Sequence, residues 1–199
     1  MPRKTHKIKS KKTILLIVEG YTEKIYFSQM KFIENNQNVT IIPRMAKHSS
    51  LITILDTAIK GAKEKIYDAI WCVFDRDVLL STGCSKELEL KLMEAKHVNI
   101  QFADSLPAFE IWFLLHYVLP KPYYKNQDEL IAELQKHISN YTNDINWLSK
   151  ENLYVKLKPF ILCAIDNNIK LEKRNLSNQT NDNSMCNVYR LIKSILEEK

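Results

Sequence analysis

The chain has 199 residues, with 29 Lys and Arg against 23 Asp and Glu for a net charge of +6. That length suits one domain with a core of its own. No apolar run reaches the roughly 18 residues of a membrane span, and the basic N-terminus lacks the apolar segment of a secretory signal, so a cytosolic protein with no membrane partner is expected. Residues 1–12 hold Arg3, Lys4, Lys7, Lys9, Lys11 and Lys12 and no acid. They read as a basic flexible arm, which either holds nucleic-acid phosphates by counterion release or is a solvated tail. Thr13 to Glu19 is a buried-strand pattern ending in a carboxylate, and Gly20 permits a sharp turn out of it. Thr22 is expected to cap a helix from Glu23 to about Asn35 that carries Ile25, Tyr26, Met30 and Ile33 on one side. Val39 to Arg44 reads as a short strand. Ser49 or Ser50 then caps a helix with Leu51, Ile54, Leu55, Ala58 and Ala62 at helical spacing.

Ala69 to Phe74 is apolar without a break and rich in β-branched and aromatic residues, the pattern of a strand buried on both faces. Asp75 and Asp77 follow it at once. Ser81 to Gly83 reads as a loop, Ser85 as the cap of a helix through Ala95, and Val98 to Phe102 as the next strand. A helix from Pro107 to Val118 is expected, with the proline in its first turn, stopped by Pro120 and Pro122. From Asp128 the pattern is helical to Lys199, around a polar stretch from Asn175 to Asn183. Alternating strands and helices predict an α/β fold, a mainly parallel sheet flanked by helices with a helical C-terminal region. The expected organisation is the arm at 1–12, a catalytic core at 13–118, and a helical extension at 119–199 packed on it.

Ligands in open α/β sheets gather beyond the carboxyl ends of the strands, which is where Asp75 and Asp77 stand. Alternate residues at a strand end point the same way, so two carboxylates there can share one Mg²⁺, whose shell waters and substrate phosphates complete. Glu19 ends another strand, and Glu23 stands in the first turn of the helix that follows. Cys72, Cys84, Cys163 and Cys186 form no C-x-x-C pair, so neither zinc nor a disulfide framework is expected. Three glycines cannot build a Walker A loop or a G-x-G-x-x-G fingerprint, so any nucleotide hydrolysis must come from another protein. An Asp-x-Asp pair also occurs in glycosyltransferases and in phosphatases of the haloacid dehalogenase type. The latter place it after the first strand and before Thr, whereas here it follows the third predicted strand and precedes Val78.

Strand-Glu19-Gly20 followed by a strand ending Asp75-Arg76-Asp77 resembles a Toprim domain, the catalytic fold of topoisomerases, primases and OLD-family nucleases. Three ordered blocks resemble the RloB-like proteins more narrowly. They are Ile17-Val18-Glu19-Gly20 with Thr22-Glu23 and Tyr26-Phe27; Trp71 to Asp77; and Ser105-Leu106-Pro107-Ala108-Phe109-Glu110 running on to His116-Tyr117. Asn181 to Ile192 fits the family's C-terminal block loosely, with Asn183-Ser184 where Asn-Pro-Ser is often found.

This resemblance implies a Toprim-like fold and metal-dependent phosphodiester hydrolysis on DNA or RNA, possibly tRNA, in phage defence, often beside an ATPase partner. Mg²⁺ or Mn²⁺ is the implied cofactor. Asp75 and Asp77 would hold one cation, Glu19 would be a ligand or general acid/base, and Glu23 with Glu110 would extend the set to two metals. His116, if it faces the site, would contact phosphate or move a proton. Nucleotidyl transfer of the primase kind and a non-catalytic nucleic-acid-binding or adaptor subunit of an ATPase complex are the alternatives. Structural readings stand beside these: turn or cap chemistry for Asp75 and Asp77, helix-terminus charge for Glu23 and Glu110, a cap role for Ser105, a core position for His116, Trp112 and Phe113, and a surface or ion-pair role for Arg76. Arg44, Lys47, His48, Lys170, Lys173 and Arg174 are candidate phosphate contacts, each also readable as part of a solvated face.

Overall fold

The computed structural model describes residues 11–34, 39–76, 85–178 and 183–196. Most of the basic arm, Asp77, the predicted loop at Ser81 to Gly83, Cys84 and Asn181 lie outside the described residues. Five strands, β1 (Lys12–Val18), β2 (Val39–Met45), β3 (Ala69–Asp75), β4 (Gln101–Leu106) and β5 (Met185–Cys186), form one sheet in the order β2-β1-β3-β4-β5. The first four run parallel, and β5 is antiparallel to β4. The mainly parallel, helix-flanked sheet is therefore the α/β fold that the alternation of patterns predicted, with a helical C-terminal region.

Continuous apolar runs in β1 and β3 are explained by burial on both faces. Ile14, Leu16 and Val18 of β1 and Trp71 and Val73 of β3 join one cluster, while Leu15, Ile17, Ile70, Cys72 and Phe74 join the other. Helix α1 (Tyr21–Glu34) lies on the first face, and α2 (Leu51–Glu64) and α3 (Lys86–His97) cover the second. Chain order reverses direction between β1 and β3, because β1 is followed by β2 on one side and β3 lies on the other. That is a topological switch point, where the connections leave a crevice at the strands' carboxyl ends.

Ser50 and Ser85 cap α2 and α3 through their side chains, accepting from Thr53 N and Leu88 N. Three boundaries differ from expectation. Thr22 is not a cap, because α1 begins at Tyr21 and Gly20 O already accepts the Lys24 N–H at 3.3 Å. The fourth strand starts later and runs further, since Asn99 takes a left-handed turn (φ 57°) and Ile100 N still bonds back to Ala95 O. Polar Asp104 and Ser105 thus fall inside β4, and Ser105 is no helix cap. Pro107 follows a cis peptide bond and precedes the helix rather than opening it, as α4 spans only Glu110–Leu115.

Beyond α4 come α5 (Gln127–Leu134), α6 (Ile145–Lys150), α7 (Leu153–Leu157), a 3-10 turn at Lys158–Phe160, α8 (Ile161–Asn178) and α9 (Val188–Leu196). Helix α8 continues to Asn178, through the start of the predicted polar break. Gln29 of α1 ties this region down by donating to Leu148 O and Glu151 O and accepting from Tyr154 N. Strand β5, which no periodicity announces, adds a second attachment at the far edge of the sheet. There Asp104, 3% exposed, accepts from Arg76 Nε at 2.8 Å and from Asn187 Nδ2 at 2.8 Å. Of the surface or ion-pair role expected of Arg76, the structure shows the ion pair, which holds the end of β3 to β4.

Removing a buried acceptor leaves its donors unsatisfied. Asp104→Ala should therefore lower the unfolding free energy by about 1–3 kcal/mol in urea titration, and an unchanged midpoint would show that the network contributes nothing.

Candidate functional site

At the switch point the ends of β1 and β3 are hydrogen-bonded to each other. Glu19 N donates to Val73 O at 3.1 Å, and Asp75 N donates to Glu19 Oε2 at 2.9 Å. Asp75 shares strand parity with Trp71 and Val73, which places it on the face covered by α1 and α4. Carboxylates of Glu19, Glu23, Asp75 and Glu110 line one cleft of about 140 Å³, with Gly20, Phe109 and Gln127 in its walls. Four of the sequence-derived site residues are thus brought together from two strand ends and the first turns of two helices. Asp77 lies outside the described residues. Among the described residues no three His, Cys, Asp or Glu side chains are close enough to share a metal ion.

Gly20 is where the close approach demands glycine: a Cβ built there would come within 3.0 Å of Glu23 Oε2. Glu23 is 5% exposed. Burial, and then the carboxylates of Glu110 and Glu19, push it up from 4.5 to about 8, although its own backbone N–H and that of Gly20 oppose the shift. Glu110, 1% exposed, is also raised by burial, while hydrogen bonds from Gln127 and Tyr141 pull the other way. Gln127 Nε2 donates to its Oε2 at 3.1 Å, and Tyr141 OH to its Oε1 at 3.1 Å. These two residues were not foreseen. They lie 17 and 31 positions downstream, beyond the reach of any local spacing, and only the fold of the C-terminal helices brings them in.

His116 is placed elsewhere. It sits at the C-terminal end of α4, 1% exposed, edge-to-face on Trp112 at 4.7 Å, and is not among the residues lining the cleft. Nδ1 lies 2.8 Å from Trp112 O, and a carbonyl only accepts, so the proton is on Nδ1. Burial lowers the pKa to about 4, which keeps the ring neutral and unsuited to proton transfer near neutral pH. Trp112 and Phe113 are fully buried, as expected of core residues. Of the phosphate candidates, Arg44 is engaged by Glu64 at 3.2 Å and by Tyr67 OH at 2.8 Å, and Lys170 pairs with Asp166 at 2.6 Å. Lys47, His48 and Lys173 are exposed.

Fold and site together define an α/β protein with an acidic cleft at the carboxyl ends of its two central strands. The model of the RloB-like protein family matches residues 14–195, and the chain belongs to that family. No curated protein and no solved structure matches it. Among the described residues no helix is long and apolar enough to cross a membrane.

In the unfolded chain Glu23 ionises near 4.5, and in the fold near 8. Between those values the folded state keeps a proton that the unfolded state has lost, so its contribution to stability is full below 4.5 and disappears as pH rises toward 8. Melting temperatures of the cation-free protein should fall over that window, and Glu23→Gln should flatten the decline. An equal slope in both proteins would show that Glu23 ionises normally.

Proposed function

We propose that this protein is a Mg²⁺- or Mn²⁺-dependent nuclease of the Toprim type that hydrolyses phosphodiester bonds in DNA or RNA, tRNA among the candidates, in defence against phage and beside an ATPase partner. One observation carries the reading: Glu19, Glu23, Asp75 and Glu110 line a single cleft at the switch point. Membership of the RloB-like family is compatible with it.

The donor set fits a hard cation in kind, since all four groups offer oxygen and Mg²⁺ commonly takes only one or two carboxylates plus waters and substrate phosphates. A cation would also relieve the repulsion that helps keep Glu23 protonated. In this reading Asp75 and Asp77 hold the ion with Glu19 beside them. When bound, the ion supplies Lewis-acid stabilisation of charge on the phosphate. Asp75 N–H orients the Glu19 carboxylate. Both oxygens of Glu110 are engaged by neutral donors, which favours a single-cation arrangement with Glu110 as a fixed wall. Glu23, with a pKa of about 8 in the cation-free cleft, would give up its proton as a cation binds and would then offer the ion a further oxygen.

The second reading is an adaptor subunit that binds nucleic acid or an ATPase without catalysis. It is favoured by the lack, among the described residues, of three groups close enough to share an ion. Calorimetric titration with Mn²⁺ separates the two, because only a working site should bind it. For the nuclease, Asp75→Ala combined with Asp77→Ala should bring Mn²⁺-dependent cleavage of labelled DNA and RNA to background while the protein stays folded. Full cleavage by that double variant would remove the nuclease assignment from this cleft.

A further inference from the structure

Four arginines fall within the described residues, and three of them have carboxylate partners: Arg44 with Glu64, Arg76 with Asp104 and Arg190 with Glu172. Arg174 is the exception. Its Nη1 donates to Pro120 O at 2.8 Å, and its Nε and Nη2 are buried with no hydrogen-bond partner. Burial depresses its pKa, and among the described residues Tyr124 is the one titratable group acting on its charge. A guanidinium with two of its donors buried and idle is costly unless an anion completes it.

Two further idle donors stand at the same place. Ser184 Oγ and Asn183 Nδ2 are buried without partners, and Ser184 is 1% exposed. Ser184 N donates to Pro122 O at 2.7 Å, and Asn175, next to Arg174 on α8, donates Nδ2 to Ser184 O at 2.8 Å. Arg174 and Ser184 are therefore both fastened to the short Pro120–Pro122 segment. A guanidinium, an amide N–H and a hydroxyl on segments tied to one another in this way suit a phosphate oxygen.

This group also stands at the right end of the sheet. Met185 pairs with Leu106 and Cys186 with Ser105, and Ser105 is in register with Asp75. Ser184 thus lies just past the carboxyl end of β4, on the parity of Cys186, whose side chain joins the same cluster as Trp71 and Val73. Two strand spacings separate β5 from β3, about 10 Å, a span that a nucleic-acid strand covers in a few nucleotides.

We propose that Arg174, Asn183 and Ser184 form a phosphate subsite that grips the nucleic-acid backbone beside the carboxylate cleft. The proposal rests on the nucleic-acid reading above and names the groups that hold the strand. Neither the basic arm nor the exposed lysines are needed for it. The two idle Arg174 donors donate to one phosphate in fork geometry, and Ser184 Oγ fixes its register.

Binding of a fluorescent single-stranded oligonucleotide is measured by anisotropy in EDTA over a salt series, so that no cleavage enters the readout. Arg174→Gln should weaken binding about tenfold and lower the slope of log affinity against log salt by about 0.7. Ser184→Ala should weaken it about threefold or more without lowering the melting temperature, since its hydroxyl has no partner in the fold. If Arg174→Gln fails to fold, Ser184→Ala carries the test. Wild-type affinity and salt slope in the folded variants, or no binding by the wild type, would overturn the subsite. Stabilisation by inorganic phosphate that Ser184→Ala abolishes, with oligonucleotide binding unchanged, would assign the group to free phosphate instead. The nuclease reading fails or stands separately, on cleavage by the Asp75 and Asp77 double variant.

Discussion

The crowding of carboxylates at the junction of β1 and β3 is the constraint on which the rest of the molecule turns. Four acids face one cleft, and two of them, Glu23 and Glu110, are nearly sealed from water. Like charges in a poorly solvated site cannot all ionise without compensation, and the fold supplies only part of it. Asp75 N–H is spent on Glu19, the first turn of α1 supports Glu23, and Gln127 and Tyr141 are spent on Glu110. The remaining imbalance appears as a proton held on Glu23, a state that a bound cation would reverse.

Seen from this cleft, the helices after residue 118 belong to the same construction as the sheet. Gln127 and Tyr141 come from that region, Gln29 clamps α6 and α7 onto α1, and β5 extends the sheet on the side of β4. Leu130, Tyr141, Leu157 and Leu191 share one apolar cluster with Leu16 and Val73. The segment that supplies β5 also carries Ser184, so the acidic cleft and the cluster of idle donors occupy one rim of the sheet and face the same layer of helices.

Legibility in the sequence followed the range of the interactions. Buried strands β1 and β3 were plain, because two-sided burial writes an unbroken apolar run. Ser50 and Ser85 were legible because capping is decided within four residues. Strand parity left Arg76 a surface or an ion-pair role, and only the fold decided for the pair with Asp104. Boundaries failed where a polar residue entered a strand on the strength of distant partners, as Asp104 does with Arg76 and Asn187, and where Asn99 took a left-handed turn. His116 looked like a candidate for chemistry by type and neighbourhood. Packing against Trp112, with its one proton committed to a backbone carbonyl, removes it from the cleft.

By itself, the sequence determined the α/β layering, the strand ends that carry Glu19 and Asp75, and a family membership written in three short blocks, because each depends on local periodicity or on fixed neighbours. Only the tertiary structure decided that Glu23 and Glu110 share the cleft with those strand ends, that Gln127 and Tyr141 hold Glu110, and that two donor nitrogens of Arg174 are buried without a hydrogen-bond partner. Each of these depends on burial and on contacts between residues far apart in the chain. Desolvation and charge pairing are properties of the assembled fold, and no residue carries them alone.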